Sequence, residues 1–471
     1  MDWKLQTREA ACFTAAAGHT SEERFTADCV VPDTLPDVER LLTASGELCL
    51  WRLDLDDGSG ELEGEIRCDV LYQAEDGRLL SFPVTVPVLL RFRDAALNPS
   101  LRPYLELHLT ELTPQLMNSR KVRIAARVRA ALTAYAQETL TLTESTEEEI
   151  CQQRTKVVFE PVTAVEEQVF SAVGTSALRD AARQLLSAQS EVVVDEIQCV
   201  SQRLILQGRV RTRLLYQTAE LISETVETPF SQLIDTTGED VADAEVRVHL
   251  TSVHLTLLPE EQAIEVETHL AAQAVCRSRV EAELLTDAYS NRTLLESETE
   301  TLQLPLPVER EQQRLFAEGE LSCDPGYTTV ASWGILHSPG SAEAVLLRRN
   351  GEGACSALRQ ALTFEVPEGT VCAASAGELT VTPTAEGLRL RLPVTLELEH
   401  RETRSLTQIT ALTGEEPNTA AASMPSLTLL RAGEHPDLWQ IAKTHASTVE
   451  AILAANPEDA GRTYLAVPKV M

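Results

Sequence analysis

The chain has 471 residues, with 72 acidic against 40 basic side chains and a formal net charge of −32. That length exceeds one comfortable hydrophobic core, so three or four domains are expected. A surface this acidic repels phosphate backbones and anionic lipid, which excludes nucleic acid as a partner and argues against direct membrane insertion.

Taken in chain order, residues 1–28 are expected to form an N-terminal arm. Met1-Asp2-Trp3-Lys4 opens without an apolar h-region, and no run reaches the ~20 apolar residues of a spanning helix, so a cytoplasmic protein is expected. Residues 29–146 are expected to be a first β-rich repeat. Residues 41–73 (LLTASGELCLWRLDLDDGSGELEGEIRCDVLYQ) align without a gap on 185–217 (LLSAQSEVVVDEIQCVSQRLILQGRVRTRLLYQ). The match joins Leu41-Leu42 to Leu185-Leu186, Glu47 to Glu191, Leu62 to Leu206, Gly64 to Gly208 and Arg67 to Arg211. It ends on Leu71-Tyr72-Gln73 and Leu215-Tyr216-Gln217. Such self-similarity marks a repeated architecture. Polar and apolar residues alternate from Gly64 to Val70 and from Gly208 to Leu214, which predicts half-buried strands. Each glycine marks a bulge or a tight strand entry. Pro36–Leu42 and Ala177–Leu186 are expected to be short amphipathic helices, with Asp37 in a first turn.

Residues 147–302 are expected to be an acidic linker and a second repeat, in which Val248-His249-Leu250-Thr251 matches Leu107-His108-Leu109-Thr110. Thr143–Glu149 and Glu296–Glu300 are expected to be solvated linkers or edge protection. Residues 303–412 are expected to be a degenerate third β-rich repeat. There Asn350-Gly351 resembles the Asp76-Gly77 turn, and Leu346 stands where the closing tyrosine is expected. Residues 413–425 are expected to be a linker.

From Ser426 the pattern changes. Leu427–Leu430 predicts a short strand, and Leu438–Lys443 begins a helix. A second helix is expected to open with Ser447 as N-cap and Glu450 in the capping-box position, and to stop at Asn456-Pro457. Tyr464–Pro468 is the closing strand, giving β-α-α-β over 426–471.

No catalytic constellation stands out: no G-x-S-x-G, H-E-x-x-H or phosphate-binding glycine loop occurs. The ten cysteines form no C-x-x-C pair, so no metal site is expected and they are expected to be reduced, small buried residues. His249 and His254, five apart in a strand, point to opposite faces. No cofactor is expected. Trp439 fits either a core anchor of a small domain or the edge of a partner groove. Arg120-Lys121 fits a solvated turn or a contact with a partner's carboxylates.

The C-terminal module resembles a LysM domain through Gly433-Glu434, Leu438–Lys443, Val449–Ile452, Asn456 and Leu465–Lys469. The repeats are similar to SPOCS domains of spore-forming Firmicutes, through Val31-Pro32-Asp33-Thr34-Leu35-Pro36-Asp37-Val38 with Leu41-Leu42. Gly64–Tyr72, Gly208–Tyr216, Asn118–Val122 and Asp287–Ser290 add to this. The combination resembles SipL-like spore-coat morphogenesis proteins. The fold class so expected is mainly β: tandem SPOCS-like repeats plus a βααβ LysM domain. The resemblance implies a non-enzymatic mother-cell adaptor recruited to the forespore surface, whose LysM domain binds a spore-coat morphogenetic ATPase. The alternative is a peptidoglycan-binding LysM protein of cortex or wall. In either case it implies Gly433, Glu434, Asp437, Leu438, Trp439, Ile441, Asn456, Pro457 and Tyr464 as the partner- or glycan-binding residues. The first loop, Gly433–Leu438, departs from the compact turn of the family.

Overall fold

The computed structural model describes residues 2–470 apart from 238, 239, 323, 325, 386, 415, 432–435 and 458–463. Strands hold 74% of the chain and helices 5%. Alternation drives this. In β3 (Ser59–Ala74), Leu62, Ile66, Cys68 and Val70 turn inward while Glu61, Glu63, Glu65 and Arg67 take the other face.

β3 pairs antiparallel with β2 (Val38–Asp56) and with β4 (Leu79–Arg93). Against this sheet packs a second, in which β6 (Lys121–Ser145) lies between β1 (Gln6–Val30) and β5 (Arg102–Asn118). Leu62, Ile66, Phe82, Ile124 and Val128 fill the space between them.

The pairing pattern recurs twice. In the second module β9 (Gln184–Val200), β10 (Arg203–Gln217) and β11 (Leu221–Asp235) form one sheet. Opposite it, β13 (Ala263–Ser278) lies between β8 (Val162–Ala177) and β12 (Val241–Leu258). In the third, β17 (Tyr327–Ser338), β18 (Ser341–Asn350) and β19 (Cys355–Leu362) face a sheet of β16 (Glu309–Leu321), β22 (Leu388–His400), β20 (Thr370–Ala376) and β21 (Thr380–Pro383).

The three modules close into a ring. Leu71 and Leu79 of the first, Leu186 and Leu215 of the second, and Trp333, Val345 and Leu347 of the third share one core. Around it a single device repeats. Glu47 faces Arg67 and Glu191 faces Arg211 across adjacent strands, and Glu343, whose register partner is Ala361, reaches diagonally to Arg359 at 3.3 Å. Each arginine donates to a main-chain oxygen of the next module: Arg67 to Val253 at 2.7 Å, Arg211 to Ala376 at 2.5 Å, Arg359 to Leu112 at 2.8 Å.

The first and last strands of each module run on past the ring into a stalk of three ribbons. One is formed by the ends of β1 and β6, one by β7 (Cys151–Phe159) with β14 (Val280–Tyr289), and one by β15 (Glu296–Pro305) with β23 (Thr403–Thr413). Leu142, Phe159, Leu284, Leu302 and Leu304 fill its interior, with Ile150, Leu285, Ile409 and Leu412 in a second cluster.

Several sequence expectations are corrected. Gln6–Val30 is a full sheet strand and not an arm. Pro36–Leu42 and Ala177–Leu186 are not helices: Val38 begins β2, and β9 begins at Gln184. Bulges at Val38/Arg40, Leu41/Thr43 and near Leu186 break the alternation and leave apolar residues at helix-like spacing. Asp37 instead accepts Arg120 at 3.0 Å and Ser119 at 2.8 Å, and Arg120 also donates to Leu35 and Val31. Gly64 and Gly208 lie inside their strands opposite bulges. A Cβ would stand 2.4 Å from the oxygen of Cys49 at one and 2.5 Å from that of Val193 at the other. The acidic runs are largely strand: Thr143–Ser145 ends β6 and Glu296–Glu300 opens β15. The stretch 413–425 is pinned rather than free, with a short helix α1 (Thr419–Ser423) capped by Asn418, whose main chain bonds Arg292.

Candidate functional site

The C-terminal module consists of β24 (Leu427–Arg431), α2 (Leu438–Thr444), α3 (Val449–Ala455) and β25 (Tyr464–Pro468). β24 and β25 pair antiparallel, and Leu430, Leu465 and Val467 turn inward onto Ala442 and Ile452. The sequence expectation of Ser447 as N-cap is off by one: the Thr448 hydroxyl accepts the Ala451 amide at 3.1 Å, with Glu450 in the first turn. Ser447 is fully buried and donates to Pro468.

The module is docked on the stalk tip. Asp287 near the end of β14 takes the indole N–H of Trp439 at 2.7 Å and the Lys443 ammonium at 2.7 and 2.9 Å. The Tyr289 ring meets Trp439 edge-on, with centroids 4.9 Å apart. Its hydroxyl donates to the Ser447 oxygen at 2.9 Å, and Asn291 donates to Ser447 and to Val470 at 3.1 and 2.9 Å. Burial, then the neighbouring Cys151 thiol, holds the Tyr289 phenol well above its usual range. Burial likewise raises Cys151. This is a hydrogen-bonded seam around an aromatic pair, and it immobilises the α2 face.

The residues implied by the LysM resemblance separate accordingly. Trp439, Leu438 and Ile441 turn into the core shared with the stalk. Asp437 caps α2 through the Gln440 amide. Asn456 is a buried clamp, donating to Ile452 and Ala466 at 2.7 Å and accepting the Ala466 amide at 3.0 Å. Pro457 and Tyr464 are exposed. Gly433 and Glu434 lie outside the described residues.

Among the described residues of this module the outer face of its ribbon is open, and Leu453 of α3 is also exposed. Leu427, Leu429 and Tyr464 are 55%, 66% and 61% exposed. Leu427 and Leu429 were not among the sequence candidates. Their signal is an L-x-L strand too short and too isolated to bury both faces. Asp287, Tyr289 and Asn291 were likewise missed as docking residues, because their partners lie far along the chain.

No family model, curated protein or solved structure matches this chain.

A second polar region lies where the three modules meet. Two adjoining cavities, of about 340 and 220 Å³, share His108, Glu191, Val192, His249 and Leu336. His249 donates to the Leu105 oxygen at 3.1 Å, and burial depresses its imidazole to about 4. His108 meets Glu106 at 2.8 Å. Glu47 accepts the Ser190 amide at 3.1 Å, and burial pushes its carboxyl up to about 8. Among the described residues no group of three or more His, Cys, Asp or Glu is placed to hold a metal ion. The His249–Leu105 and Ser190–Glu47 bonds join the first two modules.

Proposed function

We propose that the chain is a non-catalytic assembly adaptor of the endospore envelope. The ring and stalk hold the C-terminal module at a tip, and the module joins a coat-basement ATPase through its ribbon face. The observation that carries this reading is the contrast between the module's two sides. The α2 side is fixed to Asp287, Tyr289 and Asn291, whereas Leu427, Leu429 and Tyr464 stand in water. Exposed clustered apolar residues beside polar surroundings mark interaction sites. Charge supports the same assignment. Residues 426–471 hold four basic and five acidic side chains, so nearly all of the −32 lies on the ring and stalk. The acidic body keeps the adaptor soluble and apart from its own copies.

The test uses the full chain against the coat ATPase of the same organism, and separately against purified peptidoglycan. Wild type is expected to bind the ATPase saturably and to stay in the supernatant with peptidoglycan. Leu429→Asp with Tyr464→Ser is expected to abolish ATPase binding without lowering the melting temperature. Binding to peptidoglycan alone would overturn the adaptor reading in favour of a wall-binding protein.

A further inference from the structure

Where the strands of all three modules leave the ring for the stalk, they enclose a cavity of about 340 Å³. Its wall is largely apolar. Phe13 and Leu140 come from the first module, Phe159 from the second, and Leu306 and Val308 from the third. Apolar and aromatic walls around a volume of this order, with a few polar groups set into them, are typical of small-molecule sites. Glu138, Gln303 and Glu402 also line the cavity and are exposed, so it communicates with solvent.

One buried acid in this wall has no partner in the protein. Glu160 joins β7 to β8. Its amide donates to the Pro305 oxygen at 2.8 Å, and the following Pro161 restricts its backbone to extended conformations, which fixes where it stands. Glu160 is only 7% exposed, yet among the described residues its carboxylate accepts no hydrogen bond and meets no Lys or Arg. A buried carboxylate is costly unless it is paired. The two arginines of the same wall are committed elsewhere. Arg277 meets Asp243 at 3.1 Å, and Arg401 meets Glu399 at 2.6 Å and Glu245 at 2.5 Å, all carboxylates outside the cavity lining. Glu138 and Glu402 also lack an ion pair among the described residues, so the uncompensated charge on this wall is negative. Tyr135, which is buried on the same wall, brings a hydroxyl that has no hydrogen bond among the described residues.

We propose that this cavity binds a small organic ammonium ion with an apolar body. The ammonium would donate to the Glu160 carboxylate, with the Tyr135 hydroxyl as a second acceptor. The apolar body would replace water against Phe13, Phe159 and Leu306. A hydrogen bond between ionised groups is among the strong ones, and more so away from bulk water. All three modules supply the wall, so a bound ligand ties them together at the neck and stabilises the folded chain. The site is separate from the ribbon face of the C-terminal module.

The probe is phenylbutylamine, with phenylbutyrate and phenylbutanol as anionic and neutral counterparts of similar shape. Binding to the full chain is read by titration calorimetry, and its location by amide hydrogen exchange. The amine is expected to bind saturably, to raise the melting temperature and to slow exchange within residues 12–15, 159–162 and 303–308. Glu160→Gln keeps the shape and removes the charge. It is expected to weaken amine binding at least about tenfold while leaving the alcohol unaffected. Equal or tighter binding of the butyrate would assign the cavity to Arg277 and Arg401 and overturn the proposal. So would an amine affinity unchanged in Glu160→Gln, protection elsewhere, or no saturable binding. Tighter binding of a capped Ala-Leu-Lys-Leu-Ala peptide than of the amine would overturn it as well, by assigning the cavity to a lysine side chain of a partner protein.

Discussion

Arg359 donates to the main-chain oxygen of Leu112 at 2.8 Å, which brings the third module back onto the first. Arg67 and Arg211 do the same for the other two junctions. Each arginine has a glutamate on the adjacent strand, directly opposite for Glu47 and Glu191 and diagonal for Glu343, which stands 3.3 Å from Arg359. Each junction of the ring thus carries an arginine-to-carbonyl contact, and the first two modules are also joined by the pairing of Phe13 with Val162 between β1 and β8.

Arg359→Ala is expected to loosen only the closing junction. It removes a charged donor to a part-buried carbonyl and takes the guanidinium from Glu343, which keeps His337 at 3.4 Å, a loss of about 1.5–3 kcal/mol. Urea unfolding should then show the third module separating before the other two. A single cooperative transition at the wild-type midpoint would show that the shared apolar core alone closes the ring.

The junction of the second and third modules rests on a buried ionic cluster. Glu399, whose side chain is fully buried, meets Arg401 at 2.6 Å and Arg310 at 3.4 Å, and Arg277 meets Asp243 at 3.1 Å. Arg310 also bonds Asp243. Without Glu399, Arg310 and Arg277 keep Asp243 and the half-exposed Arg401 keeps Glu245, so each loses one of its carboxylates. Glu399→Ala is therefore expected to destabilise by about 1.5–3 kcal/mol. Glu399→Gln keeps the shape and should recover part of this in a thermal melt.

Much of this was legible in the sequence. The alignment of 41–73 on 185–217 already paired Glu47 with Glu191 and Arg67 with Arg211, the residues that later face each other at the junctions. Gly64 and Gly208 signal a bulge or a tight strand entry, and each lies inside its strand opposite a bulge. Two kinds of information were hidden. Bulges shifted the alternation at Val38–Thr43 and imitated helical spacing, because period two holds only in an unbroken ladder. Long-range pairing was the other. Nothing local to residues 6–30 announces a partner in 121–145, and nothing local to Trp439 announces Asp287.

Asp287 is the centre of the docking seam, and Asp287→Ala tests whether the C-terminal module is held there. Two donors, Trp439 and Lys443, lose their acceptor together. With charge-assisted bonds worth more than neutral ones, docking should weaken by about 2–3 kcal/mol. The module is expected to keep its own fold, since Asn456 and the Thr448 cap are untouched. The expected signature is a red-shifted tryptophan emission and faster amide exchange in α2 and β14, with β24 and β25 unchanged. Unaltered exchange in both α2 and β14 would mean that Tyr289 and Asn291 suffice.

Glu47 makes stability depend on pH in a predictable direction. Its carboxyl titrates at about 8 when folded, raised first by burial and further by Asp69, against the Ser190 amide, Arg67 and Arg213 that lower it. An ordinary unfolded carboxyl titrates near 4.3. The folded state thus holds a proton that the unfolded chain has released. The contribution is full below the unfolded value and is lost as pH rises through about 8. Asp69 and Glu191 are raised by burial and act in the same sense. His249 acts oppositely. Its folded value of about 4 means stability present above its unfolded pKa of roughly 6.5, lost only as pH falls through about 4. The window from about pH 6.5 to 8 therefore isolates the carboxylates. Because Glu47 borders a cavity that admits water, the loss across that window is expected to be on the order of 2 kcal/mol. Glu47→Gln keeps an oxygen for the Ser190 amide and removes the proton. Its melting temperature is expected to fall less from pH 6.5 to 8 than that of wild type, and an unchanged slope would place the titration on Asp69 or Glu191 instead.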